Sequence, residues 1–181
     1  PSFTAEHVLL SNRSSSNRGI AFGIQSADVK FAFGSVEVVT AADAVPEADR
    51  WYHLAATYDG STARLYVDGT LVRTEPISSP LSTSNSVRIG QSNYFSLFTK
   101  GQIDEVKVWS VARTETQIKN GLNDTSTAAP GLAAYWNFDD DQSSADPTTV
   151  ADGAGANNGT FVSNPLWAYR VRSTGDTGSG T

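Results

Sequence analysis

Along residues 51–74, WYHLAATYDGSTARLYVDGTLVRT, apolar and polar positions alternate in three short runs separated by two turn signals. The second signal, Asp68-Gly69, is the strongest short-range mark of a hairpin, because both central residues of a type I′ turn need positive φ. Leu65 and Val67 fall on one face before it, Arg64 and Tyr66 on the other. This period of two predicts three consecutive antiparallel strands with one buried face. Such a β-meander needs a second sheet to pack against.

The same alternation recurs on both sides. A short apolar run covers 7–10; Ile20, Phe22 and Ile24 alternate, as do Val29, Phe31 and Phe33; further strands are predicted at 36–40 and 86–90. Polar loops occupy 11–19, 42–49 and 75–86, and strands spaced about ten residues apart are the pattern of a sandwich. Ile103 is apolar at an odd position while Val106 and Val108 are apolar at even ones, so the inward phase slips, which predicts a β-bulge at Asp104-Glu105. Thr114 and Gln117 form a capping-box pattern ahead of Ile118, with Asn120-Gly121 as a stop, predicting one short helix over about 114–121. Leu132, Ala134, Trp136 and Phe138 alternate in a half-buried strand, and further strands are expected at 160–163 and 166–171. The fold expected is all-β: a two-sheet antiparallel jelly-roll sandwich over 1–172 with that single helix, followed by a Gly/Ser/Thr-rich tail, 173–181, of linker composition.

The motifs Trp51-x-His53, Tyr58-Asp-Gly60, Tyr66-Val-Asp-Gly69, Ile103-Asp-Glu-Val106 and Ala112-Arg-Thr114 occur in this order through most of the chain. In them the chain resembles the laminin-G-like, concanavalin-A-like lectin and glucanase jelly-roll domains of bacterial extracellular proteins. The resemblance implies the fold, an extracellular or cell-surface location and, in many members, a structural calcium ion. It leaves function open, because such sandwiches serve as lectins, adhesins, glycosidases and spacers.

Charge narrows the partners. A formal net charge of −6 over 181 residues gives no basic patch to release phosphate counterions, which argues against nucleic acid and anionic membranes. No apolar run approaches the roughly 20 residues of a membrane helix. The absence of cysteine excludes disulfides and thiolate chemistry. The start at Pro1 is expected to reflect processing or a longer parent chain.

Catalysis finds little support. Concanavalin-type glycosidases carry Glu-x-Asp-x-x-Glu on one strand, and placing Asp104 at the middle carboxylate puts Gln102 and Lys107 where the nucleophile and the acid/base belong. His7 and His53 lack metal-ligand spacing, and His53 is expected to be satisfied by a local hydrogen bond. Calcium accepts six to eight oxygens from irregular loops, which makes Asp104, Asp139, Asp152 and Asn157 candidate ligands; the alternative is that these are ordinary polar turns. For sugar, Tyr94, Phe95 and neighbouring Asn93 form the candidate loop, either as an exposed platform or as a plug of the core. Trp51, Trp109, Trp136 and Trp167 are expected in the core. Asn-x-Ser/Thr triplets at Asn12, Asn123 and Asn158 are possible glycosylation acceptors, although chance also accounts for them.

The function expected is a non-catalytic recognition or adhesion module binding carbohydrate or a cell-surface protein, with structural calcium. The alternative is a self-assembling subunit of a surface filament or layer, held by strand exchange through the C-terminal tail into an open sheet edge.

Overall fold

The computed structural model describes residues 7–13, 19–33, 37–78, 86–92, 98–139 and 149–161. The expected tail 173–181 and the strand at 166–171 lie outside these, as does Trp167. Among the described residues the elements run β1 (His7–Ser11), β2 (Ile20–Gln25), β3 (Asp28–Phe33), β4 (Glu37–Ala41), β5 (Leu54–Tyr58), β6 (Thr62–Val67), β7 (Thr70–Pro76), β8 (Arg88–Ile89), β9 (Val106–Trp109), α1 (Glu115–Asn120), β10 (Leu132–Trp136), β11 (Thr149–Val150) and β12 (Gly159–Thr160).

Strands β4-β3-β2-β1-β8 hydrogen-bond into one five-stranded sheet, and β5-β6-β7 form the predicted meander. All of these pairings are antiparallel. The β6–β7 turn has both central residues at positive φ, Asp68 at 50° and Gly69 at 75°, as a type I′ turn demands. The pair β9–β10 is antiparallel too, with α1 in the connection between its strands, and β11–β12 is a short further pair.

The two main sheets face each other. Phe31, Phe33, Val39 and Ala41 of one meet Ala63, Leu65 and Val67 of the other, with Leu54, Ala56 and Tyr58 against them. Ring contacts step through this interior from Phe22 to Phe31 (5.9 Å), Phe31 to Phe33 (4.5 Å) and Phe33 across to Tyr58 (5.0 Å). Each fully buried Phe or Leu contributes on the order of 1.5–3 kcal/mol, so this seam is the main adhesive between the layers. The pair β9–β10 is a separate two-stranded sheet whose Val106, Val108, Ala134 and Trp136 pack with Ile89 of β8 and with Val150 and Phe161.

The helix forms where its caps predict. Thr114 Oγ1 accepts from Gln117 N, and the Gln117 side chain accepts from Thr114 N. Glu115 in the first turn and Lys119 in the last oppose the helix dipole. Its buried residue is Ile118. Glu115 Oε1 accepts from the Leu71 amide of edge strand β7 at 3.2 Å. A Cβ on Gly69 would lie 3.1 Å from Lys119 Cα, so the meander turn needs glycine for close approach as well as for its φ.

Two expectations change. The bulge is not at Asp104-Glu105: β9 begins at Val106, Glu105 precedes it in a left-handed conformation (φ 56°), and the register of the pair shifts instead between Leu132 and Ala134 of β10. The phase slip in the sequence marks a strand entrance rather than an extra residue within a strand. Trp51 and Trp109 are not in the core either: Trp51, on the loop before β5, is 56% exposed, and Trp109 is half-buried on the outward side of β9, opposite the inward Val106 and Val108.

Candidate functional site

The outward side of β9–β10 carries Lys107, Trp109 and Tyr135, the residues between the inward Val106, Val108, Ala134 and Trp136. In a glycosidase of this fold such a face would be the place for a cleft; here segment 110–131 lies over it. Lys107 Nζ donates to the Asp124 carbonyl and sits 4.6 Å from the centre of the Tyr135 ring. The Arg113 guanidinium stacks 3.9 Å over Trp109. Tyr135 is consequently 3% exposed although it points away from the sandwich interior.

At the far end of Tyr135 its hydroxyl donates to Glu105 Oε2 at 2.6 Å. Burial, and then the Glu105 carboxylate, push the phenol well above its ordinary value of 10.0, with Asp139 and Asp104 adding to the effect. Asp104 and Asp139 thus both act electrostatically on one phenol. Asp104 Oδ1 accepts from Glu105 N at 3.0 Å, and the Asp139 amide donates to Asn137 Oδ1. The positions aligned with a nucleophile and an acid/base are Gln102 and Lys107, and Lys107 is committed to Asp124 and Tyr135.

Asp152 and Asn157 belong to a different arrangement. Asp152 is 6% exposed; its Oδ1 accepts from Tyr135 N and Ala154 N, both at 2.9 Å, and its Oδ2 from Asn157 N at 3.0 Å and Asn157 Nδ2 at 3.1 Å. Burial alone would raise this carboxyl, but four N–H donors outweigh it and hold the group below its ordinary 3.8. Such a carboxylate closes loop 151–159 onto β10. N–H groups crowding both oxygens do not suit a cation, so Asp152 and Asn157 do not fit calcium. Among the described residues no group of three or more His, Cys, Asp or Glu is arranged to hold a metal ion.

The His53 ring also departs from expectation. Its backbone amide donates to Asp68 Oδ1 at 2.9 Å, but Nδ1 is buried with no hydrogen-bond partner among the described residues. Burial lowers the imidazole below its ordinary 6.5, against the pull of Asp68 and with the help of Lys107. Of the three glycosylation triplets, Asn12 Oδ1 accepts from Ile20 N and Asn158 Oδ1 from Asp152 N; Asn123 is exposed in the turn after α1.

Asn93, Tyr94 and Phe95 lie outside the described residues. Within those described, two aromatics are presented to solvent, Trp51 at 56% and Phe98 at 55% exposure, and Trp51 has the more extensively described polar surroundings. Its setting is rigid: Arg50 Nη2 pairs with Asp68 Oδ2 at 2.9 Å, Nη1 with Glu47 Oε2 at 3.4 Å, and its guanidinium lies 4.6 Å from the Tyr52 ring centre. Tyr52 Oη accepts from Glu47 N, and Asp68, at the meander turn, ties this loop to His53. Arg50 and His53, on either side of Trp51, are therefore fastened to the β6–β7 hairpin through Asp68. Parity along β5 was the signal: Leu54, Ala56 and Tyr58 face inward, so an odd-numbered residue just upstream belongs with the outward set.

Facing antiparallel sheets with an aromatic seam and one short surface helix define a lectin-type sandwich. The chain belongs to the concanavalin A-like lectin/glucanase superfamily, in a laminin G family whose model matches residues 2–119. It is 34% identical over 97 residues to human pappalysin-1 and 33% identical to the mouse protein, a stretch covering 50% of this chain but 6% of each relative. Its fold is similar to that of a Bacteroides ovatus protein described as a candidate carbohydrate binding protein, with TM-score 0.65 and 22% identity, over 85% of this chain and 50% of the other. No helix among the described residues is long and apolar enough to cross a membrane.

Proposed function

We propose that the chain is a non-catalytic, extracellular recognition module that binds carbohydrate at the Trp51 loop. The observation that carries this is an indole 56% exposed on a loop locked by ion pairs and hydrogen bonds, with polar groups beside it. Exposed apolar surface rimmed by polar groups marks binding sites, and a rigid aromatic loses little entropy on contact. Family membership supports a lectin-like role, as does the description of the Bacteroides ovatus neighbour. Segment 110–131 over the outward sheet face, and the lack of a carboxylate pair at 102 and 107, favour binding over hydrolysis. Asn93, Tyr94 and Phe95 belong to this proposal as further contact residues. Structural calcium is proposed at Asp104 and Asp139, the two acidic candidates that share the field around Tyr135.

A glycan array probed with the whole chain, with and without chelator, tests the reading. Saturable binding to a defined glycan is expected, at least tenfold weaker in W51A and weaker again in Y94A/F95A. Chelator is expected to lower the melting temperature of the wild type but not of D104N/D139N. No saturable glycan binding, or binding unchanged in W51A, overturns the Trp51 site; a melting temperature indifferent to chelator removes the calcium.

A further inference from the structure

His53 stands at the joint between the Trp51 loop and the β6–β7 hairpin. Its amide donates to Asp68 Oδ1 at 2.9 Å, and the Asp68 amide donates back to the His53 carbonyl at 2.8 Å. The second carboxylate oxygen of Asp68 accepts from Arg50 Nη2 at 2.9 Å. Both oxygens of Asp68 thus hold the loop, one on each side of Trp51. The imidazole has no share in this clamp: its Nδ1 is buried at the joint with no hydrogen-bond partner among the described residues.

A neutral ring tolerates that setting better than a charged one. Both nitrogens of an imidazolium are donors, and a buried cation with a donor left unpaired is strongly disfavoured. The charged groups around the ring do not supply what is missing. Asp68 attracts a proton to it but is committed to the His53 amide and to Arg50. Arg50, which also pairs with Glu47, brings positive charge to the same carboxylate. Lys107 of β9 repels a charged ring and is itself held by the Asp124 carbonyl and the Tyr135 ring. From α1, Lys119 packs on Gly69 and the Glu115 carboxylate is taken by the Leu71 amide. Burial and Lys107 together outweigh Asp68, so the docked ring takes up a proton less readily than at its ordinary 6.5.

We infer that His53 is an acid-operated release for the Trp51 loop: the neutral ring keeps residues 47–53 docked on the β6–β7 turn, and a proton on that ring, for which the joint offers no open acceptor, undocks them. The sign follows from linkage. An undocked imidazole regains water and its ordinary affinity for protons, so docking is fully favoured above 6.5 and weakens as pH falls below it. The release goes beyond the carbohydrate reading, since it governs whatever the loop binds.

The test is hydrogen exchange and proton NMR of the whole chain from about pH 7.5 to about pH 5, with protection corrected for the intrinsic pH dependence of amide exchange. Protection of the His53 and Asp68 amides is expected to fall several-fold across that range while β2 and β3 stay unchanged, and the His53 ring is expected to titrate below 6.5. H53Q, neutral and polar, and H53F, neutral and aromatic, are each expected to abolish the pH dependence, whatever they do to protection at neutral pH. H7Q, at the other histidine, is expected to keep it. K107M, which removes the like charge and keeps an apolar stem, is expected to weaken it. Protection that stays level with pH in the wild type, a pH dependence that survives in both H53Q and H53F, or a His53 ring that titrates at or above 6.5 overturns the inference. None of these readouts uses a glycan, so failure here leaves carbohydrate binding at Trp51 standing, and failure of that binding leaves the release standing.

Discussion

Asp152 and Trp51 show at single-residue scale how place in the fold decides chemistry. Both attract attention in a list of residue types, one as a metal ligand and one as core. The carboxylate of Asp152 is consumed by N–H donors from Tyr135, Ala154 and Asn157, while Trp51 is 56% exposed. In D152N one acceptor oxygen becomes an amide that faces N–H groups already pointing at it, and leaving such buried donors unpaired costs roughly 1–3 kcal/mol. The expected outcome is a fall in the urea midpoint of unfolding without a change in slope. The pH behaviour has a definite sign. A carboxyl held below its ordinary 3.8 in the folded protein stabilises above that value, and the contribution disappears as pH falls through it. Wild type and D152N are therefore expected to converge in stability as acid protonates the folded-state carboxyl, below its ordinary 3.8, and to differ at neutral pH; parallel profiles would show that the carboxylate charge is irrelevant.

The decisive elements are α1 and the β6–β7 hairpin, which clasp each other through Glu115 on the Leu71 amide and Lys119 on Gly69. A helix of 6 residues is too short to persist alone, so it exists because its cap and its one buried side chain act together. T114A removes the cap, worth about 1 kcal/mol, and is expected to speed amide hydrogen exchange across 115–121 while leaving β2 and β3 unchanged. Spread of the faster exchange into β3 would show that the helix is part of the main cooperative unit. The same element sits in the segment that covers Lys107, Trp109 and Tyr135, so local loosening there is also the change that would uncover the outward face.

At the scale of the whole molecule, stability depends on the seam between the five-stranded sheet and the meander. Leu65, fully buried at 0% exposure, sits centrally on the meander side. L65A is expected to cost about 2–5 kcal/mol, measured as a large shift of the denaturant midpoint. An effect under about 1 kcal/mol would mean that the interior refills, which close-packed cores seldom do. No comparable loss is expected for W51A, since its ring is mostly in water.

Strand phase, the Asp-Gly turn, the capping box and the family motifs were all legible in the chain, because each depends on residues within a few positions of one another. They suffice for an all-β sandwich with a helix at 115–120 and for membership of a lectin-like family. What only the tertiary structure decided concerns partners distant in sequence. Asp152 finds Tyr135 across 17 positions, Tyr135 finds Glu105 across 30, and Leu71 finds Glu115 across 44. Alternation states which side of a strand a residue occupies, but not what later folds over that side. Tyr135 is thus outward yet buried, and Asp152 is acidic yet saturated with amides, each through neighbours that no local pattern encodes.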